Sequence, residues 1–447
     1  MPSDEATIAG WGRVSTPGRE LRSDDLVRLS DGATLSRGLG RSYGDSSLPP
    51  PSVRAVAGTV LGDRVLAFDP ATGSLRAEAG LSLDALTRML LPRGWFVPVT
   101  PGTAFVTLGG MVAADVHGKN HHVDGCFGAH VESLRLRVAD GRLVDCAPDR
   151  ERELFRATIG GMGLTGHILE VAFRMTRVPS PWILGESVCA AGIDALLVEL
   201  ERSSAAWPFT VAWADGVARG ARLGRGIVHR GRWADPSEAP ARAPAPPRPV
   251  RVPFDLPAGT LNRATVGLFN AALYRAHGRS GHGRSAYRRG QSPYRFFHPL
   301  DRLGDWYRLY GRPGLTQHQC VLPQERGPAA VRGLLELLAR RRACVPLCVI
   351  KNCGDEGAGT LSFPMRGTSV AVDLPVDDRT QGLVDALNEC VIELGGRIYL
   401  AKDAFTRAEH FRAMEPRLAR WAAVRRRWDP ELRLRSAQSV RLLGDPA

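Results

Sequence analysis

Apolar residues recur at two periods along much of the chain. Leucines 83, 86 and 90 share one helical face, after a capping Ser82 and before Pro92, and predict a helix over 83–91. Residues 151–159 also have a helical pattern. Alternation of apolar and polar residues predicts strands over 65–68, 75–78, 131–138 and 167–175.

The second half of the chain alternates strand and helix patterns. Strands are predicted over 317–321, 345–351 and 369–374, and helices over 329–340 and 382–394. One long helix is predicted over 406–427, with Phe411, Met414, Leu418 and Trp421 on its buried stripe. This order favours an antiparallel sheet with helices on one face, and hence an α+β fold.

One stretch, residues 98–128, follows neither period. It holds six glycines and three histidines. Glycine lets the backbone approach a ligand closely, and successive free N–H groups form a concavity for anionic oxygens. The stretch therefore predicts a ligand-binding loop, with the small residues 108–114 as a short buried segment against the ligand. An ordinary long loop is the alternative.

Two further glycine clusters occur. Residues 37–44, RGLGRSYG, place three glycines beside two arginines, a pattern that is also typical of a tight turn. Residues 161–166 match G-x-G-x-x-G, but a predicted helix precedes them and a predicted strand follows. A dinucleotide-binding βαβ unit needs the opposite order, so the motif does not indicate such a unit here. A glycine turn that contacts a cofactor in another fold remains open as an interpretation.

Composition narrows the class of protein. At 447 residues, with 44% hydrophobic and 23% charged residues, the chain predicts a globular protein of two domains. It has no run of eighteen apolar residues and no secretory h-region near its start, so we expect a cytoplasmic protein. Cys344, Cys348 and Cys353 lack a fourth ligand at metal-site spacing, which favours buried thiols and no metal.

The net charge of +13 calls for an explanation. The arginines are dispersed and no nucleic-acid motif is present, so nucleic acid is excluded as the expected partner. An acidic or phosphorylated substrate, or an anionic membrane surface, fits better. Residues 235–254 are proline-rich and 275–295 are basic without an acid, and both predict mobile loops.

Twelve short motifs lie in order along nearly the whole chain. They are GWGR at 10–13, RGLGRSYGD at 37–45, PGT at 101–103, TLGGMVAADVHGKNHH at 107–122, GGMGLTG at 160–166, AWADG at 212–216, GRG at 224–226, FHPLD at 297–301, WYRLYG at 306–311, QHQ at 317–319, LSFP at 361–364 and GGRIYLAKD at 395–403. With these, the chain resembles the flavin-dependent oxidoreductases of the vanillyl-alcohol-oxidase type, which have a PCMH-type FAD-binding fold. Within them it is most similar to the branch that oxidises polyprenylphosphoryl ribose.

The resemblance implies a division of the chain. Residues 1–180 would form the FAD-binding domain, 181–396 an inserted substrate-binding domain built on an antiparallel sheet flanked by helices, and 397–447 a segment that rejoins the first domain. The residues implied to hold FAD are Arg37, Gly38, Leu39, Gly40, Arg41, Ser42, Tyr43, Gly102, Thr107, Leu108, Gly109, Gly110, Ala114, Asp115, Val116, His117, Ile168 and Tyr399. Relatives that bond FAD covalently often have His where this chain has Arg41, so the resemblance implies non-covalent FAD.

The resemblance also implies the chemistry. A secondary sugar hydroxyl would be oxidised, first among candidates the C2′ hydroxyl of polyprenylphosphoryl-β-D-ribose, giving the 2′-keto intermediate of epimerisation to arabinose, a precursor of cell-wall arabinan. A separate NAD(P)H-dependent ketoreductase would complete that epimerisation. Lys402 is the expected proton acceptor, with Tyr43 and His117 sharing the relay or fixing the flavin. The implied substrate contacts are Lys119 and Lys351 for the phosphate, with Trp213, Gln317 and Gln319 lining the pocket.

Two positions depart from the related enzymes. In mycobacterial members a V-C-V-D-F segment presents a cysteine to the flavin, whereas SVAVDL here places Ala371 there and Ser369 where Asn is common. These two substrate-site differences, together with the basic loop at 275–295, keep open a soluble sugar, nucleoside or lactone as substrate. A non-enzymatic flavoprotein or polyprenyl-phosphate-binding subunit is a third hypothesis, which the intact HGKNHH and Lys402 disfavour. A polyprenyl substrate and the basic charge together predict peripheral membrane contact.

Overall fold

The computed structural model describes residues 6–257, 259–278 and 284–447, with the backbone alone for 284–289. The first part of the chain contains β1 Thr7–Ala9, β2 Ser15–Pro17, β3 Arg19–Arg22, α1 Leu26–Leu29, β4 Ser36–Arg37, β5 Ala55–Gly58, β6 Val65–Phe68, β7 Ser74–Glu78, α2 Leu83–Leu90, β8 Trp95–Phe96, α3 Leu108–Ala113, α4 His121–Asp124, β9 Val131–Arg137, β10 Leu143–Cys146, α5 Arg152–Thr158, β11 His167–Arg174 and β12 Thr176–Arg177.

The middle of the chain contains β13 Ile183–Ala190, α6 Ile193–Ala206, β14 Phe209–Ala214, β15 Gly226–Trp233, β16 Val250–Arg251, α7 Arg263–Gly278, β17 Arg284–Gln291, α8 Pro293–Phe297, β18 Leu303–Gly304, β19 Leu315–Pro323, α9 Gly327–Arg340, β20 Cys348–Cys353, β21 Gly367–Pro375, α10 Thr380–Glu393 and β22 Arg397–Ile398. The chain ends with α11 Ala408–Met414, α12 Leu418–Trp428 and α13 Ala437–Leu443.

Two antiparallel sheets organise these elements. The first part of the chain forms a five-stranded sheet in the order β10-β9-β11-β7-β6, beside a small parallel sheet of β3, β5 and β4. The middle part forms an antiparallel sheet in the order β17-β13-β15-β14-β20-β21-β19-β22. The predicted α+β class, with an antiparallel sheet flanked by helices, is confirmed. The exact domain limits at 180 and 396 stay a prediction.

The larger sheet is apolar on one face and polar on the other. Helices α6, α9 and α10 cover the apolar face, where Leu196, Leu334 and Leu387 are fully buried. Val370 of β21 packs in this core, and because successive strand residues point to opposite faces, its neighbour Ala371 points the other way. That second face looks toward the first part of the molecule, and the candidate site lies there.

The C-terminal segment packs back onto the start of the chain. The indole Nε1 of Trp421, in α12, donates to the carbonyl oxygen of Ala157 at 2.9 Å. Arg441, in α13, donates to both oxygens of Asp45 at 2.7 and 2.8 Å and to Asp403 at 2.8 Å. Asp45 lies two residues after Tyr43, and Asp403 is next to Lys402 in the chain. Arg441 therefore joins the segment that carries Tyr43 to the segment that carries Lys402.

Three local predictions are wrong. The helix predicted over 406–427 is two helices, since Pro416 has no N–H to donate and disfavours helix before it. Residues 98–128 are not a loop throughout, since they contain α3 and α4, although α3 with its buried Leu108 and Met111 does occupy the short buried segment predicted over 108–114. The loop predicted over 275–295 is helical to Gly278 and is strand β17 from Arg284, while residues 279–283 lie outside the described part.

The other elements follow their patterns closely. Helix α2 has the predicted Ser82 cap, with Leu83, Leu86 and Leu90 buried, and it ends in a turn closed by Gly94 at φ +80°. Residues 235–254 are irregular except for β16, as predicted. None of the described helices is long and apolar enough to cross a bilayer.

Candidate active site

A cavity of about 1220 Å³ lies between the polar face of the larger sheet and the first part of the chain. It exceeds the roughly 300–1,000 Å³ of an ordinary small-molecule pocket, so it has room for more than one ligand. Among the predicted site residues, those that line it are Gly38, Leu39, Gly40, Arg41, Ser42, Tyr43, Gly102, Thr107, Gly109, Gly110, Ala114, Val116, His117, Lys119, Ile168, Trp213, Gln317, Gln319, Lys351, Ser369, Ala371, Tyr399 and Lys402.

Three predicted cofactor residues do not line the cavity. Arg37 lies behind the glycine turn, where its guanidinium bonds Glu20, Ser47 and the carbonyl oxygen of Ala9. Leu108 is fully buried. Asp115 is also fully buried, accepting from the N–H of Gly128 and from Ser362, and burial raises its pKa to about 6.

The glycine turn is shaped by close backbone approach. A Cβ on Gly38 would lie 2.3 Å from Oγ1 of Thr107, and Gly40 has a φ of +62° with no room beside Arg37. Glycine is therefore required at both positions. The guanidinium of Arg41 lies 4.0 Å from the ring centroid of Trp11, and its Nε donates to the carbonyl oxygen of Phe105.

Strand alternation explains how distant residues meet on the other wall. Gln317 and Gln319 of β19 lie opposite Asp373 and Ala371 of β21. Lys351 of β20 lies opposite Ser369, and Trp213 of β14 lies opposite Val349. All of these side chains line the cavity. One sheet face thus supplies every predicted substrate residue except Lys119.

His117 is the centre of a hydrogen-bond network. Nζ of Lys351 lies 2.5 Å from Nδ1 of His117 and donates at 3.0 Å to the carbonyl oxygen of Gly118. On the other side, Nε2 of His117 faces the amide of Gln319 at 3.1 Å, and that amide also contacts Ser369 at 3.2 Å.

This network fixes the protonation of the imidazole. Burial, and then the charge of Lys351, hold the pKa of His117 well below its usual range. The neutral ring accepts from Lys351 at Nδ1 and so carries its hydrogen on Nε2. The structure places the amide nitrogen of Gln319 at Nε2 of His117 and at Oγ of Ser369, so this tautomer requires the reverse orientation of that amide, with its oxygen accepting from the ring.

Lys402 belongs to a second cluster. Its Nζ lies 3.9 Å from the ring centroid of Tyr43. Burial lowers the pKa of Lys402 to about 8, and the charge of Asp373 opposes this shift. Burial raises the pKa of Asp373 itself to about 6, although Gln317 at 2.5 Å and the Tyr310 hydroxyl at 2.9 Å donate to it. Near neutral pH the ionised carboxylate of Asp373 therefore favours the ammonium form of Lys402, against the effect of burial.

Tyr43 is held firmly beside this lysine. Its N–H donates at 3.0 Å to the carbonyl oxygen of Ala401, next to Lys402 in the chain. Burial and the charge of Asp373 raise the pKa of Tyr43 well above its usual range. Its hydroxyl therefore stays protonated and is available as a hydrogen-bond donor.

Lys119 has a different environment from the other two lysines. Its Nζ donates to the carbonyl oxygens of Phe296 and Phe297 at 2.6 and 3.0 Å. Burial, followed by repulsion from Lys351, lowers its pKa to about 7. As an ammonium, Lys119 keeps one N–H for another acceptor. Its contact with a substrate phosphate stays a prediction.

Sequence reasoning missed two signals. Asp373 shares a strand face with Ser369 and Ala371, so alternation alone places it in the same wall. The chain also has 59 basic residues, of which three are lysines: Lys119, Lys351 and Lys402. All three line the cavity. Arginine does not lose its proton in proteins, so lysine at these places points to a need for a titratable amine.

Residues that could bind a metal are not clustered. No group of three or more His, Cys, Asp or Glu side chains suited to a metal occurs in the described part of the chain. Cys344, Cys348 and Cys353 are free thiols.

A substitution at Ala371 tests whether this position faces the cavity. No cysteine is among the described residues that line it. We expect Ala371→Cys to gain one adduct with a thiol-directed reagent small enough to enter, and the unchanged protein to gain none there. Intact-mass measurement and peptide mapping check this result. A cavity adduct in the unchanged protein would contradict the geometry.

The shape of the cavity fits a large flavin cofactor. Gly102 and Gly163 both line it, and a Cβ on either would meet no atom within 4 Å, so a side chain there would project into free space. A ligand can therefore approach the backbone at these points. The glycine turn at 38–44 and the helix cap at Thr107 border the same region.

Comparison with known proteins agrees with this fit. Residues 33–147 match the model of an FAD binding domain. The chain is 34% identical to the decaprenylphosphoryl-β-D-ribose oxidase of Mycolicibacterium smegmatis over 455 residues, which cover 96% of each chain. It is 26% identical to the D-arabinono-1,4-lactone oxidase of Yarrowia lipolytica over 115 residues, which cover 25% of this chain and 22% of that one. The full-length match and the FAD domain show that the chain belongs to the decaprenylphosphoryl-β-D-ribose oxidase family and is an FAD-dependent oxidoreductase.

Proposed function

We propose that the protein oxidises the C2′ hydroxyl of a polyprenylphosphoryl-β-D-ribose to the 2′-ketone, as the first half of an epimerisation to arabinose for arabinan synthesis. The observation that carries the proposal is the cluster of Lys402, Tyr43 and Asp373 in the cavity wall. The full-length match to a decaprenylphosphoryl-β-D-ribose oxidase supports the substrate class.

Bound FAD supplies the hydride acceptor that alcohol oxidation needs. The protein must then remove the hydroxyl proton, and we assign this step to Lys402. Its amine is neutral in a substantial fraction of molecules near pH 8, and only the neutral amine can accept a proton. The carboxylate of Asp373 would stabilise the ammonium that forms, and the Tyr43 hydroxyl would orient the sugar.

The other cavity groups would hold the substrate. Gln319 and Ser369 present polar atoms beside His117. Lys351 contacts the same histidine from its other ring nitrogen. Lys351 and the remaining N–H of Lys119 are proposed to attract the substrate phosphate. Because Trp213 and Ala371 add apolar surface on the same wall, a sugar can lie against them with its hydroxyls directed at the polar groups.

We propose that FAD is held without a covalent bond. Arg41 stands where relatives with covalent FAD often have His, and its guanidinium lies over Trp11 and is not a nucleophile. Denaturing the purified holoprotein in acid should release all its flavin into the supernatant, because no covalent bond would retain it. Absorbance of supernatant and pellet measures this. A yellow pellet that keeps its flavin through washing would contradict the proposal.

The position of oxidation can be tested with deuterium. We expect anaerobic flavin reduction to slow when the ribose carries deuterium at C2′ and to keep its rate when deuterium is at C3′, since only the C2′–H bond breaks. Stopped-flow absorbance of the flavin checks this, with the unlabelled substrate as control. An isotope effect confined to C3′ would move the chemistry to that carbon.

A soluble substrate is the second candidate, and Ala371 and Ser369 favour it. Free ribose phosphates, nucleosides and aldonolactones should be tested beside the lipid-linked sugar. Reduction of the flavin by one of them, with none by the lipid-linked sugar, would replace the proposed substrate. A ketone product that an added NAD(P)H-dependent reductase converts to the arabino epimer would support the proposed partner.

A further inference from the structure

Helix α7 has an apolar stripe that faces outward. The stripe consists of Ala264, Thr265, Leu268, Phe269 and Ala272, which recur at helical spacing and are all exposed. The opposite side of the helix holds the buried Val266 and Asn270. A surface helix of a globular protein normally directs charged or polar residues outward, so this stripe is the reverse of the usual pattern.

Residues 250–269 expose further large apolar side chains besides those of the stripe. Leu268 is 73% exposed, Val250 70%, and Phe254 and Phe269 63% each, and these are the four most exposed large apolar side chains among the described residues. Single exposed apolar residues are normal, but a cluster of them marks a binding surface. We call these four side chains, with the α7 stripe, the apolar rim.

The apolar rim borders the mouth of the cavity. Thr265 and Phe269 belong to the stripe and also line the cavity. Strands β16 and β18 pair with each other and also reach the cavity, since Arg251 and Leu303 line it and Arg251 follows the exposed Val250. An apolar chain leaving the cavity would thus pass directly onto the apolar rim.

Charge around the rim selects the kind of partner. Residues 239–278 contain five arginines and a single acid, Asp255. That acid is paired with Arg13 at 2.8 Å. Arg248, Arg251 and Arg275 are exposed. Exposed apolar side chains and exposed arginines in one segment match the interface of an anionic bilayer, where the apolar groups enter the acyl region and the cations meet lipid phosphates.

We propose that the apolar rim is a docking surface for an anionic lipid bilayer, with the mouth of the cavity held against the membrane. A second copy of this chain is the competing occupant, but it would bring two arginine-rich surfaces together, which costs free energy. The functional role of this docking rests on the proposed lipid-linked substrate. That substrate would enter from the bilayer while its polyprenyl chain stays in apolar surroundings.

Co-sedimentation of the holoprotein with vesicles tests the surface without any sugar substrate. The vesicles contain phosphatidylglycerol and phosphatidylcholine in equal parts, or phosphatidylcholine alone. We expect binding to the anionic vesicles that weakens as salt is added. The double variant Leu268→Glu with Ala272→Glu should bind about tenfold less, because it places two carboxylates in the acyl region.

The variant positions are chosen for specificity. Neither Leu268 nor Ala272 lines the cavity, so turnover of a short-chain, water-soluble substrate should be unchanged in the variant. Val198→Glu, at a 60% exposed site on α6, is the matched control and should bind vesicles normally.

Three results would overturn the proposed surface. Absence of binding by the unchanged protein at low salt would exclude membrane docking, and equal binding by the double variant would place docking elsewhere. A dimer in analytical ultracentrifugation that the double variant abolishes would assign the rim to a second copy. Vesicle binding without flavin reduction by the lipid-linked sugar would instead leave the surface standing and remove the proposed substrate.

Discussion

Replacing Lys402 with Met should slow anaerobic flavin reduction about 10²–10⁴-fold, the range expected when a positioned general base is lost. In the unchanged protein the rate should rise with pH around 8. The burial-lowered pKa of Lys402 lies there, and the amine is neutral, and so able to accept a proton, above it. That rising limb should be absent in the variant. Stopped-flow absorbance over a pH series measures both effects.

Lys402→Arg is the matched control for this experiment. Arginine keeps the positive charge but does not deprotonate, so a base role predicts that it is as slow as Met. A fast Lys402→Arg enzyme would show that charge, rather than proton transfer, is what the position supplies. A Met variant with unchanged turnover would remove Lys402 from the mechanism altogether.

The small number of lysines makes the pKa itself measurable. Reductive methylation with ¹³C labels the three lysine amines and the chain terminus, so the lysine signals can be assigned by single substitutions. The signal that disappears in Lys402→Met should titrate near 8 in the unchanged protein. In Asp373→Asn it should titrate at lower pH, because the carboxylate that favours the ammonium is gone.

Replacing Arg441 with Met should lower the free energy of unfolding by about 3–5 kcal/mol, as expected when one partner of a buried ion pair is removed. Arg441 is the shared partner of Asp45 and Asp403, whose side chains are 11% and 4% exposed. Without it, two carboxylates stay buried close together. Methionine keeps the apolar stem, so the loss reports the charge and its hydrogen bonds. Urea unfolding at saturating FAD, followed by tryptophan fluorescence, measures the change.

An exposed arginine near the same end of the chain provides the control. Arg420 lies on the solvent side of α12. Replacing it with Met should change the free energy of unfolding by about 0.5 kcal/mol at most. If Arg441→Met changed it by less than about 1 kcal/mol, the pair would behave as a surface salt bridge. The link between the Tyr43 and Lys402 segments would then have another origin.

The fold was predictable where a pattern had a single physical meaning. The leucine spacing of α2 with its Ser82 cap, and the alternation of polar and apolar residues in β21, each admit one structure. The end of α11 was missed because a stripe of apolar residues continues through Pro416, and the stripe was given more weight than the missing N–H. Helix α3 was missed because glycines 109 and 110 weaken a helical pattern that tertiary packing restores.

The site could be predicted as a set of residues but not as an arrangement. Motif resemblance predicted that Lys402, His117 and Lys351 belong to one site. Strand alternation could have added Asp373 to that site. The contact between Lys351 and His117 joins residues 234 positions apart, and no local pattern encodes it. Likewise, the two carbonyl partners of Lys119 arise from α8, which meets it only in the folded chain.

The most direct test of the proposed function is anaerobic bleaching of the purified yellow protein by decaprenylphosphoryl ribose or a shorter-chain analogue. We expect the absorbance of oxidised flavin to disappear with stoichiometric formation of a ketosugar. Protein that stays yellow with the lipid-linked sugar, and is bleached by a free sugar, nucleoside or lactone, would contradict the proposed substrate.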